Sequence, residues 1–196
     1  PTCLLLNRNP EYIIPLEDKI KKIEDLGIDY LYLLNFDKNM SELSKEDYFN
    51  LIFNSTTPTS ITTGFNHFFG KNKSGDTTFL NNICKTKNII YTKIEPVKIQ
   101  NEIVSSSKIR EAIITADFKT VKTMLGYDFY IKGSVVKGQQ IGTQLGFKTI
   151  NINYPQKIIK IPFGVYYSKA EINGEIYNAV TNWGTKPTVS SKNEPV

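Results

Sequence analysis

Three serines in a row, Ser105, Ser106 and Ser107, stand just ahead of Lys108, Ile109 and Arg110. If a helix opens here, its first backbone N–H groups lack intrahelical partners and carry the positive end of the helix dipole. Hydroxyls beside such N–H groups suit a phosphate, and Arg110, one turn inside, could fork onto the same oxygens. The same residues also describe an ordinary N-cap with an arginine on the surface. A second constellation is the glycine-bounded loop from Gly64 to Asp76. Phe65, Phe68 and Phe69 could stack a planar ring beside the amide of Asn66. His67, the chain's single histidine, is a candidate general base or a packing group. The third is a set of glycines four residues apart, Gly138, Gly142 and Gly146, followed by Thr149 and Asn151. Such glycines let backbone N–H groups approach phosphates, and they also mark ordinary barrel turns. No Gly-Lys-Ser/Thr follows, so this is not a P-loop. Thr149 and Asn151 alternate along a strand, so their oxygens could share a Mg²⁺ with a nucleotide.

These groups need elements to hold them, and the spacing of apolar residues predicts which. Leu16, Ile20, Ile23 and Leu26 fall at helical intervals behind Pro15, with Gly27 at the stop. Cys3-Leu4-Leu5-Leu6 reads as a strand, and the run Ile28 to Leu34 as a buried one. Ser44-Lys45-Glu46-Asp47 resembles a capping box that opens a helix through Tyr48, Leu51 and Ile52. A short strand from Thr59 to Thr63 leads into the aromatic loop. Beyond it come a helix near 77–86, a strand near 88–94 and helices near 106–116 and 118–125. Strand alternating with helix predicts a parallel sheet flanked by helices over residues 1–126. Past Gly126 the pattern turns to strands and turns. Asn173-Gly174 between two alternating runs, Val165 to Ile172 and Glu175 to Val180, predicts a type I′ hairpin. A domain boundary at 125–128 follows, with a small β-barrel or sandwich over 127–196.

Composition narrows the class. With 40% hydrophobic and 22% charged residues, 196 residues suffice for one large or two small cores. No apolar run approaches the ~20 residues that span a bilayer. Two cysteines, Cys3 and Cys84, are too few for a disulfide framework, so a reduced, cytoplasmic protein without membrane attachment is expected. The formal charge is +5, yet only two of the 24 basic residues are arginines, Arg8 and Arg110. Lysine-dominated basicity argues against nucleic acid as the partner. Residues 127–196 carry 8 basic against 4 acidic groups, which suits an anionic ligand such as a nucleotide.

Five stretches in order resemble the bacterial bifunctional riboflavin kinase/FAD synthetase family. Gly64 to Asp76 is similar to its flavin-binding Gly-x-Asn/Asp-Phe-x-Phe-Gly loop with trailing Ser-Gly-Asp. Val104 to Arg110 is similar to Val-Ser-Ser-Thr-x-Ile-Arg, and Gly138 to Asn151 to the kinase motif that ends Leu-Gly-Phe-Pro-Thr-Ala-Asn. Pro162 to Tyr166 and Asn182 to Thr188 match two further kinase signals. Lys148, Ile150 and Thr143 stand where that motif has Pro, Ala and commonly Arg.

The resemblance implies an α/β chain: a parallel-sheet, Rossmann-like nucleotidyltransferase (FMN adenylyltransferase) domain, then a six-stranded antiparallel β-barrel riboflavin kinase domain. Riboflavin and ATP would give FMN, and FMN with a second ATP would give FAD and pyrophosphate, both steps with Mg²⁺. It implies Asn66 and Arg110 as catalytic residues of adenylylation, with Ser105, Ser106, Ser107 and Arg110 on the nucleotide phosphates. Gly64, Phe65, Asn66, His67 and Phe69 would take the flavin. Gly138, Gly142, Gly146 and Thr149 would cover the kinase nucleotide, with Thr149 and Asn151 on the metal. The family's His-x-Gly-His motif is expected ahead of Pro1 and the kinase glutamate past Val196, so a longer enzyme is expected. The alternatives are a flavin- or nucleotide-binding remnant and, third, an RNA-binding barrel. The oligomeric state is left open.

Overall fold

The computed structural model describes residues 11–138, Gly146 and residues 149–184. The expected strand at Cys3–Leu6, Gly142, Thr143, Lys148 and the end of the Asn182–Thr188 motif lie outside the described residues. The chain is mixed α/β and divides into two compact units. One is built on residues 23–104, the other on 11–22 together with 105–184, and helix α1 (Leu16–Asp25) runs from one stretch into the other.

The first unit is organised by a parallel pair of strands, β1 (Ser60–Gly64) and β2 (Ile90–Ile94), in register from Ser60 opposite Ile90 to Gly64 opposite Ile94. Parallel strands cannot be joined by a tight turn. The connection here is the aromatic loop followed by a helix, Thr77–Thr86, which starts where Asp76 accepts the Phe79 N–H at 2.8 Å. Before β1, α2 (Lys38–Glu42) is capped by Asp37 and α3 (Lys45–Thr56) by Ser44, whose hydroxyl accepts the Asp47 N–H and donates to the Asp47 carboxylate. The helix after the loop is α4. Phe49 from α3, Phe69 from the loop, Leu80 and Cys84 from α4 and Ile89 form one buried cluster, with Ile61 and Tyr91 of the strands packed against it. Cys84 is a free thiol inside it, and burial pushes its pKa up. A miniature hairpin, β3 (Lys98–Ile99) and β4 (Glu102–Ile103), turns through Gln100 and Asn101, both at positive φ.

The second unit contains α5 (Ser106–Ile114), α6 (Phe118–Leu125), the pair β5 (Val135–Val136) with β6 (Asn151–Ile152), and the hairpin β7 (Gly164–Ile172) with β8 (Glu175–Trp183). Asn173 and Gly174 take φ of 54° and 85°, the backbone of a type I′ turn, as Asn-Gly predicts. Ile113, Val121 and Ile159 are almost fully buried. Trp183 sits against Tyr154 at 4.5 Å between ring centres and donates its indole N–H to the Ile161 carbonyl at 3.0 Å. Residues 11–22 belong to this unit, and several ties hold them to it. Tyr12 bridges to Ile158, Lys22 lies 3.6 Å from the Tyr127 ring centre, and Asp18 accepts from both Tyr130 and Lys132. Burial, then the Asp18 carboxylate, pushes the Tyr130 phenol up to about 12, so it stays a donor.

Two expectations are corrected. Ile28 to Leu34 is neither a strand nor buried: Tyr30 is 81% and Leu33 61% exposed. An apolar run becomes a buried strand only where a neighbour pairs with it and other elements cover its faces, and among the described residues no strand pairs with this one. Thr149 also lies outside β6, which begins at Asn151. The sheets are small, each of two strands among the described residues.

Leu80 is 4% exposed at the centre of the first cluster. Leu80→Ala is expected to cost about 3 kcal/mol. A urea titration checks this, with the midpoint falling and the slope unchanged.

Candidate functional site

The aromatic loop leaves the carboxyl end of β1, the side on which open parallel sheets bind ligands. Its rings divide by direction. Phe69 is 8% exposed, whereas Phe65 and Phe68 are 37% and 55% exposed. Phe69 packs between Tyr48, His67 and Phe79, with ring centres 5.3, 5.5 and 5.9 Å away. Its main chain exchanges two hydrogen bonds with Gly75, at 3.1 and 2.9 Å. A Cβ on Gly75 would stand 2.5 Å from the Phe69 ring, so glycine is what lets the ring fold over its own loop. At Gly70, φ is +70° and a Cβ would stand 2.8 Å from the Lys45 backbone. Lys71 N–H donates to the Leu43 carbonyl at 2.6 Å, so the loop is pinned to the start of α3.

His67 is half-buried, and its backbone N–H donates to Gly64. Burial alone pulls its imidazole below the ordinary 6.5. Beside it opens a cleft of about 220 Å³, lined by Tyr48, Phe49, Phe53, Thr63, His67 and Phe69 among others. The Thr63 and Tyr91 hydroxyls share a hydrogen bond of 2.9 Å. A neutral imidazole can donate from one nitrogen and accept at the other. With Thr63 it gives the apolar cleft a polar edge, fit for one end of a planar heteroaromatic ring. Asn66 stays exposed outside it.

The serine cluster belongs to the second unit. Ser105 is the N-cap of α5 and accepts the Lys108 N–H at 3.3 Å, while Ser106 and Ser107 are exposed in the first turn. Ile109, Ala112 and Ile113 are buried on the other face, which fixes the rotation of the helix. Arg110 donates from Nε to the Glu11 carbonyl at 2.9 Å. In the same unit Gly138 lies against Asn151, whose amide occupies the place a Cβ would take. Gly146 has φ of +82°. Among the described residues no group of three or more His, Cys, Asp or Glu side chains could hold a metal.

The structure thus gathers Gly64, Phe65, Asn66, His67 and Phe69 in one loop, and sets Ser105, Ser106, Ser107 and Arg110 on one helix start. Thr63 and Tyr91 on the strands and Tyr48 on α3 were missed by sequence reasoning, because nothing local tells a hydroxyl at a cleft from any other. The N-cap reading of Ser105 is realised, and it leaves the next two hydroxyls outward.

A neutral, partly buried imidazole binds its proton less readily in the fold than in the unfolded chain. Its contribution to stability is therefore present above 6.5 and lost as pH falls below it. Melting temperature should drop more steeply between about pH 7 and pH 5.5 for the wild type than for His67→Phe. Equal slopes would contradict this assignment.

Residues 1–108 match the FAD synthetase family, and residues 125–196 match the riboflavin kinase family. A bifunctional riboflavin kinase/FMN adenylyltransferase of Bacillus subtilis is 35% identical over 93% of this chain and 57% of that protein. Its namesake in Listeria monocytogenes is 29% identical over 94% of the chain and 59% of that protein. A solved structure described as a macrolide-efflux protein from Streptococcus pneumoniae superposes with a TM-score of 0.83 at 25% identity, covering 94% and 59% of the two chains. The chain spans somewhat over half the length of these proteins. Among the described residues no helix is long and apolar enough to cross a membrane. With a synthetase match over more than half its length and a kinase match behind it, the chain belongs to the FAD synthetase family.

Proposed function

We propose that the protein makes FAD in two steps: ATP phosphorylates riboflavin to FMN, and a second ATP adenylylates FMN with release of pyrophosphate. The observation that carries this reading is the order of the two family matches on one chain, with the aromatic loop at the carboxyl end of β1 inside the first. The relatives' names state both activities.

In adenylylation a phosphate oxygen of FMN attacks the α-phosphorus of ATP, and the bond to the β-phosphate oxygen breaks. Little covalent chemistry is asked of the protein, so catalysis is positioning and charge neutralisation. Ser106, Ser107 and the N–H groups at the start of α5 hold the polyphosphate, with Ser105 as their cap and Arg110 countering the charge that grows on pyrophosphate. Asn66, Phe65 and the His67 cleft hold the flavin ring. Phe69 takes part from beneath, as the buried anchor of the loop.

In the kinase step the riboflavin 5′-hydroxyl attacks the γ-phosphorus and ADP leaves. Residues 127–196 are assigned to a six-stranded barrel, with Gly138, Gly142 and Gly146 over the nucleotide. Thr149 and Asn151 fit Mg²⁺ as hard, neutral oxygen donors, and the Asn151 amide has a seat that only glycine at 138 leaves open. When bound, the ion offsets phosphate charge. Domains of residues 1–126 and 127–196 and a cytoplasmic setting complete the reading.

Incubating the full-length protein with riboflavin and Mg-ATP, then separating the flavins by liquid chromatography, tests it. FMN and FAD are both expected. Asn151→Ala should cut FMN formation by about 100-fold while FMN is still converted to FAD. Riboflavin returned unchanged by the wild type would overturn the reading in favour of a protein that only binds flavin.

A further inference from the structure

Residues 11 and 12 lie in the stretch matched to the synthetase and are bonded within the second unit. The Glu11 carbonyl accepts the Nε–H of Arg110 at 2.9 Å, across 99 residues of sequence. The N–H of that same peptide group, on Tyr12, donates to the Lys157 carbonyl at 2.8 Å, and the carbonyl of the next one, also on Tyr12, accepts the Ile159 N–H at 2.9 Å. Ile158 and Ile159 are 5% and 2% exposed, so this parallel bridge rests on two buried side chains. The Tyr154 hydroxyl adds a bond to the Ile159 carbonyl at 2.6 Å. Arg110, Glu11, Tyr12 and residues 157–159 therefore form one hydrogen-bonded series within the second unit.

An arginine side chain has several rotatable bonds, and forked recognition of phosphate needs its guanidinium plane fixed. A neutral carbonyl on Nε supplies that constraint without neutralising the charge. Among the described residues no carboxylate pairs with Arg110. We infer that Glu11–Tyr12 is a positioning strand for Arg110. The Glu11 carbonyl aims the guanidinium at the nucleotide phosphates, and residues 157–159, inside the kinase-matched stretch, hold that carbonyl in place. The inference rests on the proposed phosphate role of Arg110. Under it, the stretch matched to the kinase supports the phosphate grip of the synthetase step.

The test is a double-mutant cycle in the full-length protein, read as the KM for ATP in FAD formation. Tyr12→Pro removes the N–H that seats the strand, while Glu11→Gln keeps the carbonyl and serves as the control. Tyr12→Pro should raise the KM for ATP about tenfold, with the KM for FMN unchanged, and should have less than a twofold effect once Arg110→Ala is present. A merely structural role would raise the KM for ATP equally in both backgrounds, and that result, or no rise at all, overturns the inference. If Tyr12→Pro does not fold, hydrogen exchange of the Arg110 Nε–H, identified by its loss in Arg110→Lys, decides. Protection is expected, and free exchange overturns the inference. If the wild type forms no FAD, the functional reading fails by itself, and the same cycle is read as affinity for inorganic pyrophosphate. Coupling of Tyr12 to Arg110 in that affinity supports the inference, and its absence overturns it.

Discussion

Two strands that run in the same direction need a long way round, and this requirement shapes the first unit. Because β1 and β2 are parallel and in register, residues 65–89 must leave one end of the sheet and re-enter at the other. The return is helix α4, capped by Asp76, and what precedes it is the aromatic loop. The loop emerges at the carboxyl end of β1 by topology, before any chemistry is considered. Its inner ring, Phe69, joins the core cluster and its outer rings do not. The candidate ligand-facing loop is thus built on a residue that also holds the fold together.

The second unit shows a different economy. Residues 11–22 lie far in sequence from 105–184, yet they tie to α5, to residues 127–132 and to residues 157–159. Most of those ties run through main-chain groups or through one carboxylate, Asp18, whose side chain is 14% exposed and serves both Tyr130 and Lys132. A partly buried carboxylate gains from such donors, since leaving it unpaired away from water is costly. Arg110, one turn into the serine-capped helix, is therefore tied to Glu11 and, through Tyr12, to residues 157–159, so residues from both family-matched stretches take part.

What was legible in the sequence had local causes. Ser44 with Asp47, Asp76 ahead of Thr77 and Gly126 after Leu125 mark helix ends by capping chemistry that needs no tertiary partner. Asn173-Gly174 names its own turn. The run Ile28 to Leu34 was misleading because burial belongs to the partners of a strand as much as to its residues. The hairpin at 98–103 escaped because two-residue strands carry no periodicity. At the site, the loop and the serine helix could be seen as motifs. The Gly75 contact under Phe69 and the Glu11 carbonyl on Arg110 could not, since one is a ring over a missing Cβ and the other a main-chain group, which any residue supplies.

The claim on which the account turns is that this chain transfers the adenylyl group of ATP to a flavin phosphate. The direct measurement supplies FMN and Mg-ATP labelled at the α-phosphate to the full-length protein and follows where the label goes. The account predicts label in FAD, released pyrophosphate without it, and equal amounts of the two products. Label that stays in ATP, or leaves it only as free AMP while FMN is unchanged, would contradict the account.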